Sequence, residues 1–62
     1  MRLTWQGNDR QVYWVEVWQQ FDVPPRWLRL SEDMEGKAEM EYEFDPEWGA
    51  AGFRVVTRMK AQ

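Results

Sequence analysis

Three tryptophans, a glutamate and an arginine form the group of residues in this sequence that could do the most chemistry. Indole rings offer broad apolar surfaces with a single N–H donor, and arginine both stacks on such rings and pairs with carboxylates. Trp and Arg are also enriched where protein interfaces gain most of their binding energy. The group consists of Trp14, Glu16, Trp18, Trp27 and Arg29. Its chemistry would be burial of indole surface against another molecule, with polar contacts that fix the orientation.

Two of these indoles lie in the stretch QVYWVEVW, which has the period-two pattern of a β-strand. Its odd-numbered residues are apolar and should point into a core; they are Tyr13, Val15 and Val17. The other face should be polar if water covers it. Because that face carries Trp14 and Trp18 instead, we expect these indoles to point out of the core and to form part of a contact surface.

Segments rich in Val, Trp, Tyr and Phe alternate with turn signals along the whole chain, which is typical of a small all-β domain. A chain of 62 residues supports at most one small core, so we interpret residues 1–62 as a single β domain. A twisted antiparallel meander of this length is expected to curl into a small SH3-like barrel or half-barrel. Five strands are predicted, near residues 2–6, 10–20, 26–31, 38–44 and 53–60.

Complementary side chains on facing strands predict the registers of this five-stranded antiparallel meander. In each register one face stays apolar while glutamates meet arginines on the other. The second and third strands pair Val17 with Leu28, Glu16 with Arg29 and Trp18 with Trp27; the third and fourth pair Leu30 with Met40 and Arg29 with Glu41; the last two form a hairpin that pairs Phe44 with Phe53, Glu43 with Arg54 and Glu39 with Arg58.

Two local structures stay open at this stage. A two-residue turn at Gly7–Asn8 would put Leu3 and Trp5 on the back face, whereas a three-residue turn would turn them into the core, which we favour for Leu3. Residues 25–40 also show apolar residues at helical spacing, although a helix would leave Gly36 inside it and the strand pattern around Leu28 unexplained.

Composition excludes several classes of site. The chain has no cysteine and no histidine, so it lacks disulfides, thiolate or imidazole metal ligands and the commonest catalytic base. No apolar run approaches the ~20 residues of a membrane span. We expect no cofactor, no small-molecule substrate and a cytoplasmic location, since a cysteine-free chain suits a reducing compartment. The aspartates fall in turns and no paired carboxylates are predicted in a cleft, so we do not expect an enzyme.

The predicted function is a non-enzymatic protein-interaction module. Its partner would be another protein or a second copy of the chain, as in a homodimer, and its contact residues would be Trp14, Glu16, Trp18, Trp27 and Arg29, with Trp48 as a cover. The alternative structural reading is that these rings form a second small core beneath the 45–52 loop. Small domains of this kind are used by phages and mobile elements to bind host proteins, although no residue specifies that origin.

Three further functions remain open. Aromatic rings beside Arg26 and Arg29 could stack single-stranded bases, although a net charge of −3 disfavours nucleic acid. An acidic segment over residues 32–47 could mimic nucleic acid and block a DNA-binding protein, unless cross-strand arginines neutralise Glu39, Glu41 and Glu43. Three aromatic rings with an acidic neighbour could also hold a methylated ammonium group.

Overall fold

A computed structural model describes residues 1–45 and 50–60 of the chain, and the strands are its only regular elements there. The chain is therefore all-β, as predicted. Alternation of apolar and polar residues gives each longer strand one inward face. The strands are β1 (Arg2–Gln6), β2 (Gln11–Gln19), β3 (Arg26–Arg29), β4 (Met34–Glu35), β5 (Glu39–Glu43) and β6 (Ala50–Met59). No helix in the described ranges could span a membrane.

The strands form two antiparallel sheets rather than one. β1 pairs with β5, and β2 pairs with β3 and β4 along one edge and with β6 along the other. Among the described residues, aromatic contacts between the sheets join Trp5 to Tyr13, with ring centroids 6.1 Å apart, and Phe44 to Phe53, at 4.8 Å. The described sheets are not closed into a barrel, so the SH3-like barrel stays a prediction.

The inward direction of the odd-numbered β2 residues is confirmed. Val15 is fully buried, and Tyr13 and Val17 are each 6% exposed. Met40 of β5, on the other sheet, is also buried and is 4% exposed. Val12 lies on the same face of β2 as Trp14 but is also buried, because its neighbours in the ladder are the long side chains of Arg58 and Glu35.

The predicted register between β2 and β3 is confirmed. Val17 faces Leu28 and Trp18 faces Trp27. Beyond Glu16 the two strands separate, and the side chain of Ser31 continues the ladder. Its Oγ accepts the Val15 N–H at 2.8 Å, while the Val15 carbonyl accepts the Leu30 N–H at 2.8 Å. This buried hydroxyl connects the β3 and β4 segments to the same edge of β2.

The predicted hairpin between the last two strands is wrong in its pairing, although Phe44 and Phe53 do contact each other. β6 pairs with β2, so that Val55 faces Val15 and Arg54 faces Glu16. The core-facing β5 residues direct their backbone groups towards β1, as the Phe44 N–H does to the Met1 carbonyl at 2.9 Å. β1 therefore occupies the edge of β5 that the hairpin would have required.

The predicted pairing of the third and fourth strands is also wrong. β3 pairs with β2, and the Met40 region of β5 pairs with β1 instead of with Leu30. The order of the described strands is therefore not a five-stranded meander. The helical alternative over residues 25–40 is wrong as well, since this segment contains β3 and β4.

The first strand places Leu3 and Trp5 on the core side, as favoured for Leu3. They face Tyr42 and Met40 of β5. Neither predicted hairpin turn at Gly7–Asn8 forms, because β1 pairs with β5 rather than with β2, and this ladder continues to the Gly7 N–H, which bonds the Ala38 carbonyl at 3.1 Å. The turn follows at Asn8, whose Oδ1 accepts the Arg10 N–H at 2.8 Å, an arrangement that Asn favours.

Candidate functional site

The outer surface of β3, β2 and β6 carries five of the six predicted contact residues. Outward residues of neighbouring strands come together there because each strand presents alternate side chains to the same face. We call this surface the indole face; it consists of Trp14, Glu16 and Trp18 on β2, Trp27 and Arg29 on β3, and Arg54 on β6. The sixth predicted residue, Trp48, lies outside the described residues.

Glu16 is the polar centre of the indole face. Its Oε2 accepts the indole N–H of Trp14 at 3.0 Å, and its Oε1 lies 2.7 Å from Arg54 Nε. The glutamate side chain is only 17% exposed. The Trp14 hydrogen bond and the Arg54 guanidinium together hold the pKa of Glu16 below its usual value, because both favour the ionised carboxylate.

Arg29 covers the first indole. Its guanidinium carbon lies 4.7 Å from the Trp14 ring centroid, within cation–π range, and its Nε donates to the Ser31 carbonyl at 2.9 Å. The same guanidinium pairs with Asp33, which also binds Arg58 at 2.7 Å. The hydrogen bonds from Arg58 and Arg29 lower the pKa of Asp33. This end of the face is therefore held in place by a network of charges.

Trp18 and Trp27 form a tilted pair with ring centroids 5.5 Å apart. The guanidinium of Arg54 lies 4.2 Å from the Trp27 ring, so it bridges this ring and Glu16. On the β6 side, Trp18 faces Gly52, which has no side chain to cover the indole. The result is a shallow apolar depression, lined by Trp18, Trp27, Ala51 and Gly52.

A β-bulge shapes the same end of the face. The β2–β6 register shifts between Trp18 and Gln19, so that Gln19 faces Ala50 and Ala51 is the additional residue on β6. Bulges of this kind bend a strand locally and redirect its side chains. Here the bulge follows from two small residues, Ala51 and Gly52, placed where β6 begins.

All three predicted indoles are half-buried. They are neither fully exposed nor enclosed on every side, because Arg29 and Arg54 cover Trp14 and Trp27 while the depression leaves Trp18 accessible. Sequence reasoning missed Arg54 and Gly52, since it paired β6 with β5. The alternating charges of Glu16 and Arg54 could have indicated this register, because it too keeps both faces of the strands consistent.

The acidic residues of β5 are arranged differently from the prediction. Glu39, Glu41 and Glu43 face Gln6, Thr4 and Arg2 of β1, all on the outer side of that sheet. Arg29 and Arg58 pair with Asp33, and Arg54 pairs with Glu16, so the expected neutralising pairs do not form. Glu41 of β5 forms an ion pair with Arg2 at 3.9 Å, with both side chains more than 60% exposed. The outer face of β5 is therefore strongly acidic.

Within the described ranges, no cluster of three or more carboxylates is arranged to hold a metal ion. Comparison with known proteins gives no match to a family model, to a curated protein or to a solved structure.

Proposed function

We propose that the chain is a non-enzymatic protein-interaction module whose indole face docks another protein. The observation that carries the proposal is the depression beside Trp18, where a glycine stands opposite an indole. Trp and Arg are the residue types that dominate binding energy at interfaces. An exposed apolar surface rimmed by charges is typical of a docking site.

The depression suits an apolar side chain from the partner. It would pack against Trp18 and Trp27, and the surrounding Arg54, Glu16 and Arg29 would contact polar groups at the rim. The ion pairs and ring contacts within the face hold these side chains in one arrangement before binding. A prearranged surface loses less side-chain entropy on association, which favours affinity.

A substitution that fills the depression tests this proposal. A Cβ at Gly52 would lie 3.9 Å from the Trp18 Cβ, an ordinary contact, so the strand accommodates a side chain there. Gly52→Val should maintain or raise the free energy of unfolding, because valine suits a strand better than glycine. The same change should abolish capture of a protein partner by the immobilised chain, measured by mass spectrometry and repeated with the purified partner.

The matched control lies on the other sheet. Thr4→Val introduces the same side chain on the outer face of β1 and should leave capture unchanged. Partner binding that survives both Gly52→Val and Trp18→Ser would contradict docking at the indole face. Loss of binding with Gly52→Val, while the unfolding free energy is maintained, would separate a docking role from a purely structural one.

A second candidate function follows from the acidic face of β5. With Arg29, Arg54 and Arg58 engaged on the other sheet, its glutamates could imitate phosphates and occupy the basic surface of a DNA-binding protein. The capture experiment separates the two candidates. A triple change of Glu39, Glu41 and Glu43 to glutamine would abolish binding by the acidic face and leave binding by the indole face intact.

Binding of single-stranded nucleic acid through stacked indoles is the third candidate, and the rings of Trp14 and Trp27 are already covered by arginines of the chain itself. Titration of tryptophan fluorescence with a single-stranded oligonucleotide at low salt tests it, and an unchanged signal excludes it. A cytoplasmic setting is part of the proposal, supported by the cysteine-free composition.

A further inference from the structure

The β6 strand has a free edge. One edge pairs with β2 from Met59 to Ala50, and no other strand within residues 1–45 and 50–60 pairs with β6. An edge strand presents a row of backbone donors and acceptors that can pair with another chain. Natural proteins usually protect such an edge by making it short, charged or interrupted by proline.

The backbone groups on this free edge can be assigned. Val15 directs both its N–H and its carbonyl towards Ser31 and Leu30, on the side of β2 opposite to β6. In an antiparallel ladder, facing residues either exchange both hydrogen bonds or point away from each other. Val55 faces Val15, so its N–H and carbonyl lie in the plane of the sheet and point away from β2, at the free edge of β6. The same holds for Phe53 and Thr57, two residues to either side.

β5 of the same chain cannot form hydrogen bonds with these β6 groups while the core faces of both strands stay on the same side. The β5 residues that share the core side already direct their backbone groups towards β1, as shown by Phe44 bonding Met1 and Gly7 bonding Ala38. Among the described residues 1–45 and 50–60, no strand is therefore placed to pair with the free edge of β6, whereas a strand from another molecule could do so.

The other edges differ from this one. β3 has four residues and follows Pro24–Pro25, β1 has five, and β5 carries alternating glutamates. β6 has ten residues and contains neither an acidic residue nor a proline. Val55, whose side chain faces the core side, is 37% exposed at this edge. The longest strand carries its two charged residues, Arg54 and Arg58, on the outer side, so the core side of this edge has no charged side chain to protect it.

We propose that β6 pairs with β6 of a second copy of the chain, antiparallel, about a two-fold axis through Val55. The sheet that contains β2 and β6 would then continue from one copy into the other. In this register Phe53 faces Thr57 of the second copy on the core side, and Arg54 faces Val56 on the outer side. Each of these contacts occurs twice, once from each copy, as a two-fold interface requires.

Repulsion between like charges disfavours the two neighbouring registers. An axis through Arg54 would place the two copies' Arg54 side chains opposite each other, and an axis through Val56 would place Arg54 opposite Arg58. Like charges that face each other directly destabilise a strand pair. An axis through Val55 avoids both arrangements, uses the outward-pointing backbone groups and leaves the two core faces on the same side of the joined sheet.

This dimer does not depend on the indole face being a docking site. Hydrogen exchange measured by NMR tests it residue by residue. In a monomer the Arg54, Val56 and Arg58 amides are protected by β2, while the Phe53, Val55 and Thr57 amides exchange rapidly. The proposal predicts that the second set becomes protected as protein concentration rises, and that sedimentation reports the mass of two chains.

Variants at the axis complete the test. Val55→Lys places two ammonium groups against each other and should return the mass to that of one chain, while Val55→Thr, which keeps the branched shape, should remain dimeric. Trp18→Ser should also remain dimeric, which separates this edge from association through the indole face. The proposal is overturned if the Phe53, Val55 and Thr57 amides exchange rapidly at every concentration, or if Trp18→Ser and not Val55→Lys dissociates the dimer. Because the exchange measurement uses the unaltered chain, it decides the matter even if Val55→Lys fails to fold.

Discussion

Two side chains, those of Ser31 and Glu16, form hydrogen bonds that organise β2. Ser31 is 7% exposed, and its hydroxyl takes the N–H of the fully buried Val15 where β2 has no strand residue beside it. Glu16 joins Trp14 and Arg54 on the outer side of the same strand. The serine thus completes the hydrogen bonding along the β3 and β4 edge of β2, and the glutamate connects the side chains on its outer face.

Removal of the Ser31 hydroxyl should destabilise the fold markedly. Ser31→Ala leaves the buried Val15 N–H without an acceptor, and an unsatisfied buried donor costs about 1–3 kcal/mol. Urea unfolding measures this loss. Thr57→Val is the control. Thr57 is an exposed residue whose hydroxyl donates a part-buried hydrogen bond to the Val12 carbonyl, so this change should alter stability by less than about 0.5 kcal/mol. An equal loss in both variants would contradict the role assigned to Ser31.

Acid should weaken the indole face through Glu16. Because the pKa of Glu16 in the folded chain lies below the ordinary value of 4.5, its stabilising contribution is complete above that value and is lost as pH falls through the lowered folded pKa. Glu16→Gln should therefore flatten the decline in unfolding free energy below about pH 5. Glu39→Gln, on the exposed face of β5, is the control. The assignment fails if Glu16→Gln leaves the acid-induced decline as steep as in the unaltered chain.

At the scale of the strands, the sequence pattern predicted the buried face of a strand more reliably than it predicted which strand pairs with it. The alternation in β2 correctly predicted which side chains are buried, and the β2–β3 register followed from Val17, Leu28 and the charge pair of Glu16 with Arg29. The partner of β6 could not be predicted in the same way. Arg54 meets a glutamate either on β5 or on β2, and both registers keep the apolar faces consistent. The choice depends on β1, whose short sequence has no charge pattern strong enough to reveal that it binds β5.

The same difference separates the residues of the indole face that could be predicted from the sequence from those that could not. Trp14, Trp18, Trp27 and Arg29 were predicted together because they lie on the two strands whose register was correct. Gly52 and Arg54 come from β6, so their place beside the indoles required the three-dimensional pairing.

The approach of β4 to the turn before β2 depends on a glycine. The Gly36 N–H bonds the Gln11 carbonyl at 2.9 Å, and a Cβ at this position would overlap the Asn8 carbonyl and lie 2.6 Å from that of Gln11. Gly36→Ala should therefore cost about 1–3 kcal/mol, because backbone atoms would have to move. Gly52→Ala, where a Cβ has room, should be neutral or stabilising by about 0.5–1 kcal/mol. Thermal unfolding compares the two, and similar transitions would contradict the close approach.

The molecule as a whole is more extended than a compact chain of its length. Its radius of gyration is 12.6 Å, against about 11 Å expected for 62 residues, and its extents are 37 × 24 × 14 Å. The core is correspondingly thin, with Val55 at its margin 37% exposed. Within the described residues, the indole face and the edge of β6 are uncovered regions of different character. We propose that one docks a protein partner and the other a second copy.

The most direct test of the docking face is the free energy of unfolding of Trp18→Ser, measured by urea denaturation at low protein concentration. Trp18 contacts Trp27 on one side and faces the open depression on the other, so removal of the indole should cost about 1–2 kcal/mol, close to the value of an aromatic pair. A loss of about 3–5 kcal/mol, typical of deleting a large aromatic side chain from a core, would show that the indole supports the fold and would contradict its assignment to a docking surface.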